Sequence, residues 1–243
     1  MKKDFIIAFI KFYGISSIKR GYIYVLSYLV VPFSELFLIY MISRGAFLDF
    51  AIIGGLITVV AGNGLTFIGD FAFLRLEVKI QDLLVASEIS VNDYVVALML
   101  SNLVYSLPGI LVYLVLGFLF KLLNFNVLPI IAVLLLLLLV TSGIGFFIGS
   151  IIPHIRYSWG LASVLSILLT ILPPVFYPYY LLPQPVFQIV YFIPTTVASL
   201  LIQQLTGLIS LPANVIYESV AVLLVETAVF YYLSIKYSRW VSQ

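Results

Sequence analysis

The acidic side chains Glu35, Glu218 and Glu226 lie inside long apolar runs, where a carboxyl group is costly enough to require a purpose. On insertion scales an acid at the centre of a membrane helix costs about 2.5–3.5 kcal/mol, against about −0.3 to −0.6 kcal/mol for each Leu. Each such acid is expected to face protein, a cavity or an interface, or to be protonated. Glu218 falls one turn inside a run's end, within reach of head-group water. Glu226 and Glu35 lie deeper. Two roles fit them: handling a proton or cation along a pathway, or holding one helix to another by a hydrogen bond. Asp70, near the end of its run, is expected to be solvated.

Other chemistries are excluded by what the chain lacks. It has one histidine, His154, and no cysteine, so no site needing two histidines or a thiolate is possible and no metal ligand set is expected. No GxxxxGK[ST] phosphate loop precedes Lys79 or Lys121, and there is no Gly-x-Ser-x-Gly elbow. The chain is expected neither to hydrolyse ATP nor to catalyse covalently by itself, and no cofactor of its own is expected. No basic run is long enough to suggest nucleic acid.

The elements that position these groups follow from composition. The 243 residues are 63% hydrophobic and 9% charged, whereas a soluble domain carries about 25% charge. The apolar runs are 22–42, 50–73, 94–120, 127–150, 158–176 and 213–235. Each has roughly 20 residues, enough at about 1.5 Å per residue to cross a hydrocarbon core about 30 Å thick. With the N-terminus inside, Lys2, Lys3, Lys11, Lys19, Arg20, Arg75, Lys79, Arg156, Lys236 and Arg239 are all inner, and only Arg44 and Lys121 are outer. Ten of twelve basic residues on one side set six crossings with both termini cytoplasmic. The expected fold is all-α and integral to the membrane.

Residues 1–21 read as a separate N-terminal helix lying in the inner interface, because Phe5–Ile10 is too short and too soon interrupted by Lys11 for a cleaved signal peptide. Residues 22–243 form the transmembrane domain. Pro32 is expected to kink the first span. In the fourth, Gly145 and Gly149 have GxxxG spacing, which allows close helix packing within the monomer.

Two segments break the pattern. Between spans two and three, residues 74–93 carry Arg75, Glu77, Lys79, Asp82, Glu88 and Asp93 among Leu76, Ile80, Leu83 and Leu84. That spacing predicts an amphipathic inner helix over about 75–88, resting on the membrane surface or docking on a soluble partner. After span five, residues 177–211 carry no charge but are divided by Pro178, Pro183, Pro185 and Pro194. Two short helices over about 180–210, dipping into the outer leaflet and turning back, are expected instead of a seventh crossing. Such backbone needs cover from protein or water. Tyr177, Tyr179 and Tyr180 stand at this outer mouth, where they can line an exit path for an apolar substrate.

Two stretches resemble the ABC-transporter permeases of the second type. One is Arg75 followed by Leu83-Leu84-Val85-Ala86-Ser87-Glu88-Ile89-Ser90-Val91-Asn92-Asp93-Tyr94. The other is Pro174-Val175-Phe176-Tyr177-Pro178, with Leu182-Pro183 and Ile193-Pro194-Thr195. Ala86-Ser87-Glu88 stands where that family often has Thr-Pro, and Phe192-Ile193-Pro194 lacks its Asn. The resemblance implies a plasma-membrane exporter of drugs, lipids, peptides or glycolipids. Two permeases, identical or related, would pair over two separate ATPase subunits that bind ATP and Mg. Arg75, Glu77, Lys79, Asp82 and Glu88 would form the element that couples to the ATPase. The competing expectation is an ATP-independent carrier or lipid scramblase using Glu35 and Glu226.

Overall fold

Glycine decides the architecture, because helices without a water-driven force between them associate where small residues let their backbones approach. The computed structural model describes residues 2–87, 89–123 and 127–237, and every regular element among them is helical. The N-terminal segment is α1 (Lys3–Phe9), a π-helical stretch over Ile10–Ile15, and α2 (Ser16–Arg20). Then come α3 (Tyr22–Ser43), α4 (Leu48–Leu76), the short α5 (Ile80–Val85), α6 (Val91–Leu119), α7 (Val127–Ile151) and α8 (Ile155–Thr170). After a proline-rich stretch follow α9 (Gln184–Val190), α10 (Pro194–Leu205) and α11 (Ala213–Tyr237).

Four described helices are long and apolar enough to cross a membrane: α4, α6, α7 and Ala213–Ser234 of α11. A bent pair, α9 and α10 at 107° to one another, raises the number to five if taken as one broken span. Shorter apolar helices cover Leu29–Ser43 of α3 and the whole of α8. The protein is therefore an all-helical, multi-pass membrane protein.

Helix α4 is the axis of the bundle and touches α3, α6, α7, α8 and α10. Its contact with α7 runs through Gly64, Gly145 and Gly149. A Cβ on Gly145 would lie 2.6 Å from the Gly64 carbonyl oxygen, and one on Gly149 would lie 3.1 Å from that of Ile68. Two apolar clusters result. The larger joins α4, α7, α8, α10 and α11; the smaller, rich in aromatics, joins α1 and α5 with the C-terminal parts of α4 and α7 and the N-terminal part of α6.

Three sequence expectations need correction, and a fourth gains detail. The amphipathic helix over 75–88 is not one helix: α4 carries Arg75 and Leu76, Lys79 turns left-handed at φ 53°, and α5 has only six residues. A side chain with φ in that region is uncommon, and the turn ends the α4 ladder. Span five stops at Thr170 instead of 176, because Pro173 and Pro174 have no N–H to continue it. The N-terminal segment is helical without a break over 3–20, but it contains a π-helical stretch and packs along α6, where Gly14 sits against the Ser101 carbonyl. Asp70 is half-buried and hydrogen-bonded, not solvated.

Candidate functional site

Where α4 ends, three consequences of its sequence meet. The helix is 29 residues long, about 43 Å at 1.5 Å per residue, which exceeds a hydrocarbon core of about 30 Å. That excess is enough for an end to reach beyond the core; the last turn carries Arg75 half-buried, with Glu77 exposed just beyond. The left-handed turn at Lys79 then directs α5 across the ends of its neighbours.

Among the described side chains, α5 is held by Ile80 and Leu84. Leu84 is buried in the aromatic cluster, with Ile80 packed against it one turn earlier. Leu83 is 69% exposed, and Lys79 and Asp82 are exposed beside it. The cluster that receives Leu84 contains Ile6 and Phe9 of α1, Phe67, Phe71 and Leu74 of α4, Tyr94 and Leu98 of α6, and Phe146 of α7. Phe71 and Phe146 meet edge to face at 4.5 Å between centroids, a favoured aromatic geometry. After α5 the chain is fixed again: the Ser90 hydroxyl accepts from the Asp93 N–H (3.2 Å) and donates to Asp93 Oδ2 (2.8 Å), capping α6. The Lys2 N–H donates to Asp93 Oδ1 at 3.2 Å, so α1 is tied to the same helix start. Glu88 lies outside the described residues.

Arg75 does something its position in sequence did not announce. Its Nη2 donates to the carbonyl oxygen of Ile152, one residue beyond α7. The last carbonyls of a helix have no partner within it, and a guanidinium there is favoured by both hydrogen bonding and the helix dipole. Arg75 thus ties α4 to the α7–α8 turn. Beyond this tie a cleft of about 720 Å³ opens, lined by Leu76, Glu77, Pro153, His154, Ile155, Arg156 and Tyr157.

A second polar group lies deeper. Asn102 Nδ2 donates to Asp70 Oδ2 at 2.9 Å, and the Tyr13 hydroxyl also bonds Asp70. This joins the N-terminal segment, α4 and α6. Asp70 and Asn102 stand out in sequence as polar residues in apolar runs, but nothing in their spacing pairs them with each other or with Tyr13.

The remaining predicted residues are dispersed. Glu35 on α3 is half-buried beside Tyr113, and its Oε2 is enclosed without a hydrogen bond among the described residues. Gly55 makes room for that tyrosine, since a Cβ there would lie 2.0 Å from the ring. Glu226 on α11 likewise has an enclosed, unbonded Oε2, whereas Glu218 is exposed. At the opposite end from α5, the Tyr177 hydroxyl donates to the Leu172 carbonyl (3.2 Å), and Tyr179 packs between Tyr180 (5.9 Å) and Phe187 (5.3 Å). Ser199 and Gln203 of α10 both donate to the Pro174 carbonyl, at 2.8 and 3.2 Å, and fasten α10 beneath the proline turn. Among the described residues no group of three or more His, Asp or Glu could hold a metal ion.

The sequence matches a family model described as ABC-2 type transporter over residues 7–204. No curated protein matches it.

Proposed function

This chain belongs to the ABC-2 type transporter family, and we propose that it is the permease subunit of an ATP-driven exporter. Membership makes it a membrane-embedded permease of the ABC type, not an enzyme in its own right. The finer reading is that two permeases, identical or related, pair over two copies of a separate ATPase that carries the ATP and Mg. Six spans and cytoplasmic termini in the plasma membrane go with it. So does a hydrophobic or amphipathic substrate, because the bundle offers apolar and aromatic surfaces throughout.

The observation that supports coupling is the construction of α5. Leu83, Lys79 and Asp82 are presented outward, while Ile80 and Leu84 are rooted among the ends of four other helices. A push on α5 cannot be absorbed locally, since packed cores shift between discrete arrangements instead of deforming continuously. It displaces α1, α4 and α6 together. ATP then biases inward- against outward-open states only through contacts that differ between them.

Arg75 is occupied with Ile152, so its substitution mixes docking with fold. The cleaner test is Lys79→Glu with Asp82→Lys, made in the permease and reconstituted with the ATPase that co-purifies from native membranes. Permease-stimulated ATP hydrolysis is expected to fall about tenfold, equal to about 1.4 kcal/mol of lost coupling, with membrane insertion unchanged. Unaltered stimulation removes α5 from the coupling route, and failure to recover any ATPase removes the ATP-driven reading.

The enclosed, unbonded carboxylate oxygens of Glu35 and Glu226 favour a second reading, an ATP-independent carrier or scramblase. It requires transport by the purified chain alone and its loss in Glu226→Gln.

A further inference from the structure

We infer that the cleft between the end of α4 and the α7–α8 turn holds the head group of a zwitterionic bilayer lipid, with a primary ammonium against Glu77 and the phosphate against Arg156. This rests on the cleft and on membrane embedding, not on the ATP-driven reading.

The location comes first. The cleft is formed where α4 and α7 end and α8 begins. Helices α4 and α7, at 29 and 25 residues, are about 43 and 37 Å long, enough for their ends to reach the head-group layer of a core about 30 Å thick. Tyr157 and Trp159, at the start of α8, are 63% and 48% exposed. Amphipathic rings are favoured at that depth.

The lining then selects the ligand. Glu77 follows α4 on one wall and Arg156 lies in the first turn of α8 on the other, and neither side chain is engaged in a hydrogen bond or ion pair among the described residues. One cleft thus presents a carboxylate and a guanidinium that do not neutralise each other. A ligand bearing both charges satisfies both walls. Guanidinium is the side chain best matched to a phosphate, and a carboxylate accepts charge-assisted hydrogen bonds from a primary ammonium. A phosphatidylglycerol head group offers Glu77 hydroxyl donors but no positive charge, and its net negative charge is repelled by the carboxylate. A quaternary ammonium brings charge without N–H donors.

The walls are also held in register. Arg75 immediately precedes one wall and Ile152 the other, and their hydrogen bond joins the two roots. A volume of about 720 Å³ falls in the range of small-molecule sites, about 300–1,000 Å³.

The test uses the permease, with any ATPase that co-purifies, in nanodiscs containing equal phosphatidylethanolamine, phosphatidylcholine and phosphatidylglycerol. Lipids retained after detergent extraction are counted by native mass spectrometry. Phosphatidylethanolamine is expected to be retained about fivefold over phosphatidylglycerol, with phosphatidylcholine between. Glu77→Gln is expected to remove the preference, Arg156→Gln to lower retention of all three, and Glu218→Gln, an exposed acid on α11, to change nothing. Glu77→Ala, read the same way, replaces Glu77→Gln if that variant does not accumulate. Equal retention of the three lipids by the unaltered protein overturns the assignment, as does a preference that survives loss of the Glu77 carboxylate. Loss of the ATPase from Glu77→Gln with lipid retention intact also overturns it, giving the cleft to a protein partner.

Discussion

Helices α4 and α11 are both long and apolar enough to cross a bilayer, yet 89% of the most apolar stretch of α4 is buried within the bundle and only 11% of that of α11. Apolarity does not separate them, because lipid and protein interior are equally apolar. Small residues do. Helix α4 carries Gly54, Gly55, Gly62, Gly64 and Gly69, and α11 has no glycine. Four of the five lie where an added Cβ would come within 3 Å of a neighbouring helix or the proline turn. Helix α11 meets the bundle along a narrow seam that includes Ser219, Leu223 and Ser234, with Leu224, Val225 and Val229 turned outward. In this molecule, glycine spacing marks the interior and hydropathy marks only the membrane.

The strongest way to break that contrast is to fill the α4–α7 seam. A Cβ on Gly64 would lie 1.9 Å from Thr141 Oγ1 and 2.9 Å from the Ser142 backbone nitrogen; the second of these cannot rotate away. Gly64→Leu is expected to exceed the usual overpacking cost of about 1–3 kcal/mol and to abolish accumulation of monodisperse protein in fluorescence-detected size exclusion. Gly160→Leu on α8 is the control. Nothing lies within 4 Å of its added Cβ, and its elution and melting are expected to match the unaltered chain. Equal damage from both would show that contact with the facing helix is not what requires glycine at position 64, since Leu is the better helix former at both sites.

A smaller effect is expected at the polar trio on the other face of α4. Asn102→Leu removes the donor that reaches Asp70 at 2.9 Å and leaves a half-enclosed acid with fewer partners. Loss of a hydrogen bond to a charged group costs about 1.5–3 kcal/mol. Asp70→Asn keeps an acceptor for Tyr13 and Asn102 and is expected to cost less. Thermal unfolding of the two variants should rank them in that order. The reverse order would mean that the acid's charge, not its hydrogen bonding, holds the N-terminal segment in place.

Much of the fold was legible because membrane crossing imposes length. The expected runs 94–120 and 127–150 correspond closely to α6 (Val91–Leu119) and α7 (Val127–Ile151). What was not legible depends on neighbours. Leu83 and Leu84 are interchangeable in a sequence pattern, yet one is 69% exposed and the other 7%. Arg75 reads as a free charge of an amphipathic segment until the end of α7, 77 residues away in sequence, supplies a carbonyl for it. The helix expected over 75–88 fails at Lys79 for a related reason. No glycine or proline marks the break; past the left-handed turn, Leu84 enters the cluster that also holds Phe9, Phe71 and Tyr94. Cues of composition end where long-range contacts decide.

The smallest predicted change lies on the outward face of α11 and sharpens the comparison from its weak side. Val225 and Val229 are 60% and 46% exposed, so their truncation opens no cavity in the monomer. If lipid covers this face, replacing Val by Ala exchanges one apolar contact for another. The double variant should then melt within about 0.5 kcal/mol of the unaltered protein, as surface substitutions do. Glu226 lies on the same helix, half-buried with one enclosed oxygen. Glu226→Gln keeps its shape and removes a charge that apolar surroundings disfavour, so melting is expected to stay level or rise slightly. A clear loss of stability from the valine pair, accompanied by a fall in mass on size exclusion, would mean that a second chain covers α11. The helix would then be an interior one after all, packed without glycine, and the rule drawn from α4 would hold only within a single chain.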